Sequence, residues 1–215
     1  MLARLWKRLS DGGSQVTISG RALRRFPERE VDGLLRARVL IEQWKADSWS
    51  VCPHCTCGLD ARPIRQVGGE LHACCPHDAA EDLVLDEQDI SRFSVNPERL
   101  AAQIGASGDI AGATVRITEG IWLLGNTSSG HAVALCRDPD DLCAPGTILV
   151  IKATARPYPL VLIARAFSTA VSMRLREAGI EVPPAWRRFS GDARQQGAPR
   201  FEHGFDAGDG AASRS

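Results

Sequence analysis

Cys52-Pro53-His54-Cys55-Thr56-Cys57-Gly58, followed by Cys74-Cys75-Pro76-His77, is the stretch on which the reading of this chain turns. Five of its seven cysteines fall within residues 52–75, too close together for a spread disulfide framework. The first part is a C-x-x-C arm and the second offers a C-x-x-H arm, with eighteen residues between Cys55 and Cys74. Donors two residues apart in a tight turn aim at one point. Two such turns, joined by a hairpin, supply the four soft or borderline donors of a tetrahedral zinc ion. The intervening residues read as that hairpin: Arg62 to Val67 is strand-like, Gly68-Gly69 is a turn, and Glu70 to Ala73 returns.

On these residues the segment 52–77 resembles a zinc ribbon. The resemblance implies a structural Zn2+ held by Cys52, Cys55, Cys74 and His77. Cys75 is an alternate for Cys74, and Cys57 or His54 competes in the first arm. Two departures stand out: Thr56 occupies a position where glycine commonly follows the first arm, and the second arm is not a plain C-x-x-C. A redox C-x-x-C would open a helix, which Gly58 and Pro63 oppose.

Upstream, residues 1–15 read as a short amphipathic helix, with Leu2, Leu5, Trp6 and Leu9 on one face and Arg4, Lys7 and Arg8 on another. It is expected to dock rather than to bind a membrane. Ser19 caps a short helix, Pro27 opens another, and Val31, Leu34 and Leu35 give that second helix an apolar face. Val39-Leu40-Ile41 and Trp44 to Val51 then read as two strands of a wing. This order resembles a winged-helix unit, although Arg38 stands where a helix-ending glycine would help. The resemblance implies contact with nucleic acid through Arg21, Arg24, Arg25 and Arg29. Such units also serve as protein-packing modules.

Downstream, Asn96 is an N-cap and Pro97 the first position of a helix. Residues 114–118, 121–124 and 131–136 read as strands, the latter two forming a hairpin around Asn126 to Gly130. The continuous apolar runs Thr147 to Ala153 and Leu160 to Ala164 read as two further strands covered on both faces. Ser168 caps a final helix. That order resembles a restriction-endonuclease-like core, which would carry an acid on its second strand and an acid-x-Lys on its third. With Ile148 to Lys152 as the third strand, Lys152 is in place but Val150 replaces the acid. Asp138, Asp140 and Asp141 lie beyond the second strand, so a nuclease here would be degenerate. His131 with Ser128 or Ser129 shares a turn and has no orienting acid in sequence. Trp44 and Trp122 read as core aromatics, and Cys136 and Cys143 as packed or incidental.

The chain of 215 residues, with 44% apolar and 24% charged residues, has the composition of a folded globular protein. Lys+Arg and Asp+Glu balance at 26 each, but residues 1–45 are net +5 and residues 46–110 net −7. A basic start can face nucleic acid, and it can equally attract the acidic middle. No continuous apolar stretch suits a span or a signal peptide, so a cytoplasmic protein with reduced thiols is expected. Arginine far outnumbers lysine, a usage found with GC-rich bacterial genomes. The expected class is mixed α+β and α/β. Residues 1–51 form a winged-helix-like unit, 52–78 a zinc ribbon and 79–189 an α/β module, and 190–215 a disordered tail. The expected function is that of a zinc-stabilised binding or adaptor protein. A protein partner is expected, with DNA or RNA as a further candidate and no membrane.

Overall fold

The computed structural model describes residues 1–12, 16–50 and 61–181. The protein is a mixed α and β fold with three small sheets, and it divides into two compact units, one through Leu100 and one from Ala101 onward.

In the first unit, α1 (Leu2–Gly12) buries Leu5, Trp6 and Leu9, the docked helix that its apolar stripe dictates. β1 (Thr17–Ser19) leads into α2 (Gly20–Leu23), whose N-cap is Ser19, its hydroxyl accepting the Ala22 N–H at 3.3 Å. α3 (Glu28–Arg36) follows, then β2 (Leu40–Lys45) and β3 (Ser48–Ser50). The two-stranded wing expected here does not form. β2 pairs with β7 (Ser91–Val95), whereas β3 pairs with β4 (Ala61–Val67) in another sheet. β7 threads between β1 and β2, satisfying both of its edges with partners remote in sequence.

Arg38 ends α3 in the left-handed region at φ 55°. Its N–H reaches the Leu35 carbonyl, and the Val39 N–H reaches the Leu34 carbonyl, both at 2.9 Å. This is the paired closure that glycine makes without a Cβ penalty. Arg38→Gly is therefore expected to raise stability by about 1 kcal/mol. Chemical denaturation of the two proteins checks this, and a less stable variant would refute it.

The second sheet is an antiparallel meander of β3, β4, β5 (Glu70–Ala73) and β6 (Leu83–Leu85). The β4–β5 hairpin forms as read from sequence. Gly68 and Gly69 take φ values of 61° and 92°, the two positive values that a tight turn between right-twisted strands needs. Trp49, Ala73, Leu85 and Ile90 make its small core, with Ile64 and Leu71 packed against them. Ile90 ends α4 (Glu87–Ile90), a single turn opened by a reciprocal cap between Asp86 and Asp89.

α5 (Pro97–Ser107) starts at the Asn96 cap, with the Arg99 N–H on the Asn96 side-chain oxygen at 3.1 Å. In the second unit, β8 (Val115–Thr118), β9 (Ile121–Asn126) and β10 (Ala132–Cys136) run antiparallel in turn. β11 (Leu160–Ile163) adds parallel to β10. A parallel neighbour requires a crossover, and α6 (Thr147–Ala155) provides it. This corrects the expected strand over 147–153. Ile148, Ile151 and Ala155 face the core at helical spacing, while Leu149 (72% exposed) and Val150 (47%) face out. α7 (Thr169–Glu177), capped by Ser168, completes the unit.

Candidate functional site

The metal reading needs two arms that meet. The second arm follows β5 directly. The Cys74 N–H donates to the Pro63 carbonyl at 3.0 Å, extending the β4–β5 register by one residue. Cys74 is half-buried, with its Sγ 3.8 Å from the His72 carbonyl. Cys75 is buried, and its N–H donates to Asp82 Oδ1 at 2.6 Å. His77 is exposed. Asp78 accepts the Ala80 N–H at 2.9 Å and so starts the 3-10 turn Ala79–Glu81 that leads to Asp82.

Cys52, His54, Cys55 and Cys57 lie outside the described residues. Their anchors do not. β3 ends at Ser50 and β4 begins at Ala61, and these two are cross-strand partners. Ser48 pairs with Pro63, and the Cys74 N–H on the Pro63 carbonyl sets Cys74 level with Pro63. With β4 between β3 and β5, the end of β3 and the start of the second arm are two strand spacings, about 10 Å, apart. Both arms thus issue from the same end of the meander. Their thiols and imidazoles suit zinc in type and number. Among the described residues alone, no three His, Cys, Asp or Glu side chains converge on one point.

The four arginines expected at nucleic acid are not gathered on one helix. The Arg21 guanidinium lies over the Trp49 ring, 5.3 Å from its centroid. Arg24 pairs with Asp86 and, at 3.5 Å, with Asp89. Arg25 and Arg29 are exposed, on either side of the Pro27 start of α3. Arg24 also lines an open cleft of about 680 Å³ with Lys45, Glu70, Leu71, Asp86 and Glu87. Lys45 pairs with Glu87 at 3.0 Å, so both cations of that cleft are matched by its own carboxylates.

The nuclease-like arrangement loses its strand. Val150 and Lys152 are on α6, and the third strand of the sheet is instead β10, Ala132-Val133-Ala134-Leu135-Cys136, without an acid or a lysine. β9, the second strand, is Ile121-Trp122-Leu123-Leu124-Gly125-Asn126, also without an acid. Lys152 Nζ donates to the Ala178 carbonyl at 2.5 Å, placing its charge at the C-terminal end of α7. Lys152→Ala is accordingly expected to cost about 0.5 kcal/mol by urea denaturation. A loss several times larger would contradict this surface capping role.

The other candidates resolve into structure. His131 Nδ1 meets Ser129 Oγ at 3.1 Å inside the β9–β10 turn, and Thr127 Oγ1 accepts the His131 N–H at 3.1 Å. This closes a turn rather than activating a nucleophile. Cys136 is buried, and its thiol donates to the Asp138 carbonyl at 3.0 Å. Burial, helped by the nearby charges of Asp141 and Asp138, pushes that thiol up to about 12, so it stays protonated and inert. Burial and Asp138 likewise raise the Asp141 carboxyl. Trp122 is buried as expected, but Trp44 is 56% exposed on the edge strand β2 and is no core aromatic.

Arg62 and Asp82 were not singled out by the sequence. An arginine with 2% exposure defies the usual preference of its type, and only the strand alternation around Trp49 and Ile64 hints at an inward position. Compared with models of known families, with curated proteins and with solved structures, the chain matches none.

Proposed function

We propose that this chain is a zinc-stabilised binding or adaptor protein, with one structural Zn2+ and no catalytic centre of its own. The observation that carries the reading is the common origin of the two arms at one end of the β3–β6 meander, the first rooted at the paired residues Ser50 and Ala61. Cys52 and Cys55 would supply the first arm, and Cys74 or Cys75 with His77 the second. Zinc bound there would contribute folding energy to a sheet whose apolar core is only a few side chains. Elemental analysis of protein purified without added metal tests this. One zinc per chain that survives dialysis is expected. Metal-free protein with freely reactive thiols at Cys52 and Cys55 would overturn it.

The partner surface follows from the arginines. Arg21 and Arg24 are engaged within the fold. All four are exposed, but among the described residues only Arg25 and Arg29 are without such a contact, which favours a protein-facing adaptor over a nucleic-acid reader. A DNA-binding adaptor would lose affinity steeply with salt, and the slope would shrink on Arg25→Ala and Arg29→Ala. Salt-independent behaviour, with no change in those variants, is the outcome expected of the protein-facing form. We infer a cytoplasmic setting from the reduced-thiol chemistry that such a zinc site requires.

A further inference from the structure

We propose that this chain pairs with a second copy of itself through the outer edge of β2, strand against antiparallel strand, with Glu42 of each copy opposite Lys45 of the other. The inference does not depend on the zinc reading above.

β2 lies at the end of its sheet, in the order β1-β7-β2, and no described strand pairs with its outer edge. After the buried Leu40, every residue from Ile41 to Lys45 is exposed. Two of these are large and apolar, Ile41 at 38% and Trp44 at 56% exposure. Tryptophan is the residue type most enriched among the anchors of protein interfaces, and an open strand edge is a template for another strand.

The edge also presents hydrogen-bonding groups. Alternate residues of β7 serve alternate neighbours. The Val95 N–H donates to the Val16 carbonyl on the β1 side, whereas the Asn96 N–H donates to the Val39 carbonyl and the Ala46 N–H to the Ile90 carbonyl on the β2 side. Glu42 and Lys45 lie opposite Phe93 and Ser91, which belong by this alternation to the set that bonds toward β1. The N–H and C=O of Glu42 and Lys45 therefore point away from β7, to the open edge.

A lysine on an edge ordinarily keeps other strands off. Here the same strand carries its complement, Glu42. Two copies laid antiparallel about a twofold axis place Glu42 opposite Lys45 at both ends and Gln43 opposite Trp44 between them. The outward-facing residues of one copy then meet those of the other, and each pair can close reciprocal N–H to C=O bonds. A slip of one residue sets Glu42 against Trp44 or Ala46 and loses both charge pairs, so the register is specified. The irregularity of β2 between Glu42 and Trp44 falls at the axis in both copies and leaves the match intact. Existing contacts leave room for the new ones. Glu42 accepts the Ser91 hydroxyl through Oε1 at 2.9 Å, and Lys45 meets Glu87 Oε2 at 3.0 Å. A carboxylate has a second oxygen and an ammonium has further protons. Trp44 lies next to the axis in both copies, where pairing would cover it.

Sedimentation of the full chain from about 1 μM to 1 mM tests the proposal. Wild type is expected to pass from monomer to dimer across that range. Glu42→Lys and Lys45→Glu, each alone, should weaken self-association at least about tenfold, since like charges then face each other at both pairs. Their equimolar mixture should recover wild-type affinity within about threefold, because each reversed pair meets its complement again. Recovery in the mixture is a result that a misfolded variant cannot give. Should either charge variant fail to fold, Trp44→Ala at its exposed position decides: self-association weakened at least about tenfold supports the proposal, and unchanged association overturns it. Wild type that stays monomeric throughout, including one that takes an unrelated extended segment on β2 instead, would overturn it. A dimer indifferent to both charge reversals, or a mixture of folded variants that stays monomeric, would do the same.

Discussion

On the zinc reading proposed above, a strong chelator is expected to melt the β3–β6 meander while the β8–β11 sheet keeps its structure. Among the described residues the meander's core holds four buried apolar side chains, Trp49, Ala73, Leu85 and Ile90, with Ile64 and Leu71 packed against them. A module of about 40 residues with a core of that size usually needs a metal or another staple. Structural zinc in zinc-finger peptides supplies about 10–16 kcal/mol of apparent binding free energy, enough to decide between folded and unfolded. Among the described residues the second unit has its own core of thirteen buried residues, from Ile121 and Ala132 to Leu175 and Ile180. Amide hydrogen exchange would resolve the two. Protection should vanish in Ala61–Val67 and Glu70–Ala73 and persist in Ile121–Asn126 and Ala132–Cys136. Undiminished protection in the meander after chelation would sink the claim that metal holds it.

Gly125→Ala should produce the largest loss in the second unit. Gly125 sits in β9 at φ 132°, a conformation that side chains rarely adopt. A Cβ placed there would lie 2.2 Å from the Ala111 carbonyl oxygen, and a backbone atom cannot swing aside as a side-chain tip can. That carbonyl is occupied, accepting the Asn126 N–H at 2.7 Å, so retreat would also break a bridge between Ala111 and Asn126. The register shift between Val133 and Ala134, opposite Gly125, shows that the β9–β10 pairing is already irregular at this point. Backbone strain of about 1–3 kcal/mol and a comparable overpacking cost act together here. A destabilisation of about 3 kcal/mol or more is expected, visible as a Tm drop of order 10 °C. A variant with wild-type melting would show that the strand can relax around the methyl group.

Local features were legible in the sequence because they are decided locally. The caps at Ser19, Asn96 and Ser168 are each a side chain bonding an N–H three residues on. The Gly68-Gly69 hairpin follows from two positive φ values. What failed was decided at a distance. Thr147 to Ala153 reads as a strand because it is apolar and β-branched. It is a helix because β10 and β11 lie parallel and the chain must cross between them. Trp44 to Val51 reads as the return of a hairpin, yet β2 finds its partner in β7, some fifty residues on. The same limit divides the candidate metal site. The spacing of Cys52, Cys55, Cys74, Cys75 and His77 was visible, but a spacing cannot say which of two adjacent cysteines faces inward. Burial in the folded chain tells them apart, since Cys75 is 7% exposed and Cys74 only half-buried.

The threading of β7 between β1 and β2 has a consequence for how the chain reaches its fold. The whole meander is an insertion between two strands that end up side by side, with the Ala46 N–H on the Ile90 carbonyl at 2.8 Å. Until residues near Val95 have left the ribosome, β1 and β2 have nothing to pair with, and their edges stay open. A meander that closes early draws Lys45 and Ser91 together and shortens the free loop whose closure the central sheet must await. Whatever speeds closure of the meander during synthesis, the proposed zinc included, would then raise the yield of the N-terminal unit as well as the stability of the finished protein.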